Sequence, residues 1–337
     1  MKKMILSLVA AIACATATFA QSSMLATLSH EGTITTYYGA LALKEACAAA
    51  VSGDVITLSS GSFNAVDIEK GITIRGAGMG IDASSQTDPT VLTGDFRINI
   101  PNEDTGRLTI EGIYHNATIW ISNFKNGTFI KDRFRKLKGY DSVSCCVNLT
   151  MINCKVAECL ELPSNSPISC VNCVIVEPIN DDSSGIEFVN CIVKDGASSS
   201  IDLGYLRCCS FKNCILDESH SVSAYFQNSS NHTVYNCIGI GASSLFKNIP
   251  NNTNVYKSFE EVFKTYKGIF NDDETFELVD SIKESIKSID GTEVGIYGGN
   301  MPFSSTPTNP QITKCNVAAK STADGKLSVD ITVNGAE

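Results

Sequence analysis

The dipeptide Asn-Cys recurs five times along the chain, each time within a short apolar run. The copies are Asn153-Cys154, Asn172-Cys173, Asn190-Cys191, Asn213-Cys214 and Asn236-Cys237. The cysteines of successive Asn-Cys pairs are separated by 19, 18, 23 and 23 residues (173−154, 191−173, 214−191 and 237−214). A period of about 20 residues, with β-rich copies and turn residues between them, is typical of a solenoid built of strands and too short for paired-helix repeats.

The two residues of each pair have different predicted positions in such a solenoid. If each copy forms one coil, equivalent residues stack about 4.8 Å apart along the axis. The cysteines are then predicted to line the narrow interior as small apolar side chains that remain thiols. The asparagines are predicted to occupy a tight turn and to form a hydrogen-bonded ladder. Earlier runs match more loosely, with Asp132-Arg133 near the Asn-Cys slot.

Caps are expected at both ends of this repeat, because an open solenoid end exposes unpaired strands. Residues 21–52 are predicted to hold a strand and an amphipathic capping helix, with the helical spacing over residues 40–51. The β-helix itself is expected over residues 53–300. A short helical insertion is predicted near 258–267, where the sequence forms a capping box.

The composition of the sequence changes after the repeat. Residues 301–310 are rich in Pro, Ser and Thr and are predicted to be a linker. Residues 311–337 are predicted to form C-terminal strands, because apolar residues alternate strictly within them.

The N-terminus predicts export. Residues 1–20 combine two lysines, an apolar core and small residues before Gln21, as a cleaved secretory signal peptide does. A lipoprotein anchored through Cys14 is the alternative. The apolar core is shorter than the ~18 residues of a membrane span, and no second apolar stretch could span a bilayer. The chain is therefore expected at the cell surface, in the periplasm or outside the cell, not across a membrane. The net charge of −10 argues against nucleic acid as a partner.

The start of the repeat resembles a known group of proteins. The run "LALKEACAAAVSGDVITLSSGSFN", followed by "GITIRGAG", is similar to the start of right-handed parallel β-helix proteins of the pectate-lyase-like superfamily. The closing run "FELVDSIKESIKSIDGTEVGIYGG" resembles secreted members from Bacteroidetes. The resemblance implies an all-β fold, a right-handed single-stranded parallel β-helix with an N-terminal helix and a short C-terminal β extension.

The family's enzymes cleave acidic polysaccharides, but their motifs are absent from this sequence. Two groups of neighbouring carboxylates are predicted to lie in solvated turns: Asp181 with Asp182, and Asp272 with Asp273 and Glu274. His220 and His232 read as exposed loop residues. No Cys/His spacing matches a zinc site, so neither a metal nor a cofactor is expected. No catalytic residue is therefore assigned.

One basic run stands out from the acidic background. In a strand, Lys131, Arg133 and Arg135 would point to one face, and Lys138 and Trp120 lie within about one coil of them. This set is the candidate site for an anionic glycan, and a charged face that protects a strand edge is the alternative interpretation.

Two functional hypotheses follow from these patterns. The first is an exported, monomeric and non-catalytic β-helix that binds a polysaccharide or a cell-surface component. The second is a polysaccharide lyase or glycoside hydrolase with a divergent site, in which acids and a Lys or Arg from non-adjacent coils meet in one groove.

Overall fold

The computed structural model describes most of the chain after the predicted signal peptide. The described residues are 24–80, 87–140, 145–146, 148–161, 167–179, 185–195, 206, 208–218, 232–241, 246, 253–271, 274–318, 320–321 and 324–334. The predicted signal peptide and Cys14 lie outside these ranges.

The described residues form a parallel β-solenoid, so the predicted fold class is confirmed. The coils of the repeat contribute strands to two long sheets, some of them two short strands to the second sheet, and equivalent strands of successive coils pair in parallel. An antiparallel hairpin, β1–β2, begins the first sheet and pairs with the first coil through β3. The first sheet comprises β1 (Leu25–His30), β2 (Thr33–Tyr38), β3 (Val55–Leu58), β5 (Thr73–Arg75), β8 (Leu108–Glu111), β10 (Gly127–Ile130), β13 (Leu149–Ile152), β15 (Ile168–Val171), β18 (Ile186–Val189), β20 (Ser210–Lys212) and β22 (Thr233–Tyr235).

The second sheet runs beside the first along the whole repeat. It comprises β4 (Gly61–Asn64), β6 (Thr90–Thr93), β7 (Phe96–Asn99), β9 (Ile113–Phe124), β11 (Arg133–Gly139), β12 (Cys145–Cys146), β14 (Lys155–Glu161), β16 (Val174–Val176), β17 (Pro178–Ile179), β19 (Ile192–Lys194), β21 (Ile215–Asp217), β23 (Ile238–Ile240) and β24 (Val255–Lys257). Two further strands, β25 (Gln311–Val317) and β26 (Val329–Asn334), pair with each other in antiparallel fashion.

Three short helices complete the described structure. Helix α1 (Ala42–Ala49) buries Leu43 and Ala46 against the first coil, as a cap for the open end requires. Helix α2 (Phe259–Val262) begins with the capping box that the sequence predicts, between Ser258 and Glu261. Helix α3 (Asp280–Ser285) follows in the C-terminal part. No helix among the described residues is long and apolar enough to cross a membrane.

The interior of the solenoid is filled by rows of side chains in lateral register. One row passes through the first sheet from coil to coil and consists of Ile56, Ile74, Ile110, Phe129, Met151, Cys170, Phe188, Phe211 and Val234. All nine residues are buried. Phe188 and Phe211 stack with ring centroids 5.0 Å apart, so the row is packed along the axis as well as across it.

The asparagine of each Asn-Cys pair forms the corner between the two sheets. All five have a positive φ, between 52° and 55°. This left-handed conformation costs most L-residues about 1–2 kcal/mol, and Asn is among the residues that adopt it most readily. One residue therefore turns the chain from a first-sheet strand into the second sheet.

The cysteine after each corner points inward, and the five form a continuous column. The backbone N–H of Cys154 donates to the thiol of Cys173 at 3.4 Å, and the same contact recurs between all later neighbours in the column. Each thiol also donates back to a carbonyl of the preceding coil; the thiol of Cys191, for example, lies 3.2 Å from the carbonyl oxygen of Cys170. The cysteines therefore fill the bore and also join successive coils.

Two polar side chains end this column. At the start Asp132 occupies the cysteine slot, and its Oδ1 accepts the N–H of Ile113 at 2.8 Å. At the end Oδ1 of Asn254 accepts the N–H of Cys237 at 2.8 Å. The matching corner pair is therefore Lys131-Asp132, one residue before the predicted Asp132-Arg133, because Ile130 pairs with Ile152.

Free thiols occur both in the column and outside it among the described residues; they include Cys47, Cys154, Cys159, Cys170, Cys173, Cys191, Cys214 and Cys237. Burial raises the pKa of Cys154, Cys173, Cys191 and Cys214 well above the ordinary value of 9.0. These column thiols remain protonated when exposed thiols ionise.

A second apolar layer covers the outside of the later coils. Val174, Ile192, Ile215 and Ile238, on the outer face of the second sheet, pack against residues of the 262–296 segment. Prominent among the covering side chains are Val262, Phe263, Tyr266, Phe276, Leu278, Ile282, Val294 and Ile296. The strands β16, β19, β21 and β23 are consequently buried on both faces.

The chain then returns along the asparagine corners towards the first coils. Nδ2 of Asn236 donates to the carbonyl of Lys287 at 2.6 Å, and Oδ1 of Asn213 accepts the N–H of Ile289 at 3.3 Å. Nδ2 of Asn172 donates to the carbonyl of Gly298 at 2.7 Å. Among these contacts, one direct Asn–Asn bond joins Asn236 to Asn213 at 3.0 Å.

This returning segment extends through the residues predicted as a linker. Nζ of Lys131 donates to the carbonyl of Thr306 at 2.8 Å, and Nδ2 of Asn309 donates to the carbonyl of Gly76 at 2.6 Å. We call residues 286–309 the strap. It crosses the corners from Asn236 to Gly76, so the asparagines hold the strap as well as turning the chain.

Alkaline pH should destabilise the protein through the column thiols. As the pH rises past about 9, the unfolded chain releases thiol protons that the folded chain retains, so the free energy of unfolding should fall by ~1.4 kcal/mol per pH unit for each such thiol. Chemical denaturation between pH 7 and about 10 measures the slope. The Cys191→Ala variant should show a slope that is smaller by the contribution of one thiol. A slope equal to that of the wild type would contradict the buried column.

The corner residue Asn213 provides a second test. Asn213→Gly keeps the left-handed turn but removes the oxygen that accepts from Ile289 of the strap and from Asn236, which should cost ~1–2 kcal/mol of unfolding free energy. Asn213→Ala adds the strain of an L-residue at this φ, a further ~1 kcal/mol. The exposed corner Asn148, whose φ is 57°, is the matched control, and Asn148→Gly should cost less. Equal losses for Asn213→Gly and Asn148→Gly would show that the strap contact contributes nothing.

Candidate functional site

The outer face of the second sheet carries the candidate site where the second apolar layer does not cover it. Along β7, Phe96 and Ile98 point into the core and Arg97 points outward. Lateral register places Arg97 beside Trp120 of β9 and Trp120 beside Lys138 of β11. Three successive coils therefore present a cation, an indole ring and a second cation in one row.

Aromatic rings and guanidinium groups are closely associated on this face. The Arg97 guanidinium lies 4.2 Å from the ring centroid of Tyr140, and its Nη2 donates to Ser122 Oγ at 2.9 Å. Trp120 and Tyr140 meet edge to face with centroids 6.4 Å apart. Arg133 stacks similarly over Tyr114, at 4.3 Å. We call Arg97, Trp120, Tyr140, Tyr114 and Arg133 the platform.

Asp95 fixes the orientation of the indole at the edge of the platform. Its carboxylate accepts the N–H of Thr118 at 2.9 Å and the indole Nε1–H of Trp120 at 3.4 Å. The Thr118 hydrogen bond, more than the bond from Trp120, lowers the pKa of Asp95 below its ordinary value. The carboxylate is therefore ionised at neutral pH and holds one edge of the ring.

The predicted basic residues are not arranged as one open stripe. Lys131 lies at a left-handed corner and contacts the strap, and a bulge between Phe134 and Lys136 breaks the alternation of β11. Arg133 keeps its predicted place on the outer face, as part of the platform. Arg135 projects from the bulge and is exposed.

Acidic residues of the next coil neutralise much of this basic run. Glu158 pairs with Arg135 and, at 3.3 Å, with Lys136. Glu161 pairs with Lys138 at 2.7 Å. These pairs lower the pKa of Glu158 and raise that of Lys138. The charge available to an anionic ligand is therefore smaller than the sequence run indicates.

Arg97 is the platform residue that sequence reasoning missed. No carboxylate of the described residues lies within ion-pair distance of it, although the chain is acidic overall. The only sequence signal is a lone arginine between two inward-pointing apolar residues in "FRI". Its neighbours Trp120 and Tyr140 are 23 and 43 residues away in sequence (120−97 and 140−97), so the cluster forms only through coil stacking.

A second group of polar side chains is buried beneath the outer apolar layer. Nζ of Lys194 lies 3.3 Å from both Oδ1 of Asp195 and Oδ2 of Asp217. The Tyr266 hydroxyl donates to the same Asp217 oxygen at 2.6 Å. Acids and a lysine from different coils therefore do meet, as the enzyme hypothesis requires, but all four residues are buried. The group does not line an open groove.

The histidines do not form a site in the described part of the chain. His232, predicted to be exposed, is partly buried, and its Nε2 lies 3.0 Å from the carbonyl of Leu206. His115 is fully buried and its Nε2 lies 2.9 Å from the carbonyl of Gly94. Burial lowers the pKa of both rings. His220 and the acidic residues Asp181, Asp182, Asp272 and Asp273 lie outside the described residues.

Within the residues described, no group of three or more His, Cys, Asp or Glu side chains is arranged to hold a metal ion. Comparison with known proteins adds no further assignment. No family model, no curated protein and no solved structure matches the chain.

Trp120, the only tryptophan, should report the protonation of Asp95. Because the pKa of Asp95 in the folded protein lies below the ordinary value of 3.8, Asp95 should stay ionised until the pH falls below 3.8. The Trp120 emission should then change as the indole loses its anionic partner. An acid titration followed by fluorescence measures this, with circular dichroism to show that the fold persists. Asp95→Asn should remove the transition; an unchanged titration in that variant would contradict the contact.

Proposed function

We propose that this protein is an exported, non-catalytic β-helix that binds polysaccharide on the platform. The observation that carries the proposal is the cluster of Arg97, Trp120 and Tyr140. Aromatic rings offer flat apolar faces for sugar rings, and they lose little conformational entropy when a ligand binds. Arginine offers a planar fork for carboxylate or sulfate groups.

The Arg97 guanidinium favours an anionic glycan over a neutral one. Five cations lie on this face, Arg97, Arg133, Arg135, Lys136 and Lys138, and acids lie among them: Glu158 and Glu161 pair with Arg135, Lys136 and Lys138, and Asp67, Asp95 and Glu177 lie beside them. The guanidinium of Arg97 contacts Tyr140 and Ser122 and has no carboxylate of the described residues within ion-pair distance. An anionic chain would therefore be attracted to Arg97 on a protein whose net charge of −10 repels it from most of the remaining surface.

The proposed family supports the same function. We propose that the chain is a secreted, Bacteroidetes-type relative of the pectate-lyase-like β-helix proteins, and the capping helix α1 and the turn at Gly53-Asp54 support this assignment. Asp54 accepts the N–H of Val51 at 2.8 Å and pairs with His30 at 2.8 Å, so it ties the end of the capping helix to the first hairpin. Export would give the platform access to extracellular glycans.

Titration with defined polysaccharides tests the proposal. Polygalacturonate and a sulfated glycan should change the Trp120 emission and saturate, whereas a neutral glucan should bind more weakly. Arg97→Ala should weaken binding about tenfold, which corresponds to the loss of ~1.4 kcal/mol. Lys212→Ala, which removes a half-exposed cation from β20 on the other sheet, is the matched control and should bind as the wild type does.

Two outcomes would overturn this function. Unsaturated products or new reducing ends would show that the protein is an enzyme. Equal affinities for wild type, Arg97→Ala and a Trp120→Ala variant, measured by affinity electrophoresis, would show that the platform is not the binding site.

A further inference from the structure

Two adjacent strands bring a buried lysine and a buried aspartate side by side. Lys194 ends β19 and Asp217 ends β21, and the two residues are direct lateral partners in the parallel sheet. Both side chains point out of the solenoid core into the second apolar layer. Lys194 is 4% exposed and Asp217 is 0% exposed. The lysine Nζ and the nearer carboxylate oxygen are 3.3 Å apart.

The surroundings exclude water from this pair. Tyr266 lies over Asp217 and is 1% exposed, and its ring packs against Phe276 and Phe263 with centroids 4.8 and 5.2 Å away. In such an apolar setting the separation of charge is costly, so transfer of a proton from ammonium to carboxylate is less unfavourable than it is in water. An uncharged amine beside an uncharged carboxylic acid is the pair of reactants that forms an amide.

Groups able to move the protons lie next to both reactants. Asp195 Oδ1 is 3.3 Å from Lys194 Nζ and can accept a proton from the attacking nitrogen. The Tyr266 hydroxyl donates to Asp217 Oδ2 at 2.6 Å and can stabilise that oxygen as it leaves. Burial raises the pKa of Tyr266, so its hydroxyl keeps its proton and remains a donor.

We propose that Lys194 and Asp217 form an intramolecular isopeptide bond that covalently joins two successive coils. The lone pair of neutral Lys194 Nζ attacks Cγ of protonated Asp217. Asp195 takes the proton lost from nitrogen and returns it to the departing oxygen. The Cγ–Oδ2 bond breaks, one water leaves, and an amide remains. The step is a condensation, so it requires neither an oxidant nor a cofactor.

The fixed geometry allows this reaction to proceed without an external enzyme. Both side chains come from strands in one sheet, so their relative position is set by the backbone ladder and not by a mobile loop. Holding reacting groups in contact in a dry site can replace a large part of the barrier of the bimolecular reaction. Because the site is buried in an apolar layer, little water can reach the new amide to hydrolyse it.

Peptide mass spectrometry of the wild-type protein decides the question. Complete tryptic digestion of an unlinked chain gives separate peptides 156–194, 195–207 and 213–247. The isopeptide bond blocks cleavage after Lys194 and should give one branched species, 156–207 joined to 213–247. Its mass should be one water less than the sum of the linear peptides 156–207 and 213–247. Recovery of the three separate peptides from the folded, purified protein would overturn the proposal.

Variants locate the bond and assign the proton carrier. Lys194→Met and Asp217→Ala should abolish the branched species. Lys155→Met removes another buried lysine of the outer face, whose Nζ donates to the carbonyl of Glu274 at 3.0 Å, and should leave the bond intact. Asp195→Asn should reduce the linked fraction at least tenfold in freshly purified protein; full linkage in this variant would show that Asp195 does not carry the proton.

Discussion

The left-handed corner followed by an inward thiol is the constraint on which the structure depends. A single residue must reverse the direction of the chain between two sheets, and asparagine does so at a φ near 55°. The next side chain must then fit a narrow bore, and cysteine fits while its thiol bonds both to an N–H and to a carbonyl of the preceding coil. Repetition of this unit fixes the lateral register of the coils from Asn153 to Cys237, and that register determines which surface groups of those coils are neighbours.

This register also decides where a ligand could reach the second sheet. From β16 onward the outer face is apolar and the 262–296 segment covers it. From β7 to β11 the outer face is polar and aromatic, and the strap passes along the corner without covering it. On β14 the covering begins, because Lys155 is buried beneath Phe276 and Phe303. The platform therefore lies where the outer layer ends. The same arrangement explains why the acidic group around Asp217 is sealed: it belongs to the covered coils.

The sequence predicted the solenoid well and the candidate site only in part. The Asn-Cys period reveals the fold because each residue meets a local requirement of the coil: Asn adopts the left-handed corner, and Cys fits the narrow bore. Trp120 and Arg133 were found because each lies in or near a basic run. Arg97 was missed, and so was the neutralisation of Arg135 by Glu158, because these contacts join residues 23 apart in sequence (120−97 and 158−135) through a coil register that only the fold reveals.

The buried Lys194–Asp217 pair is hard to explain as an ordinary ion pair. Burying two charges costs about as much as their attraction returns, and well-packed apolar residues in such places are often more stabilising. Neighbouring coils carry Val176 and Ile240 at the equivalent positions, so the site accepts apolar side chains. An apolar pair at this position could only pack, whereas a covalent link would also hold the two coils together. It would close a loop of 23 residues (217−194) and add a covalent bond between two coils whose described strands pair through backbone hydrogen bonds and side-chain packing.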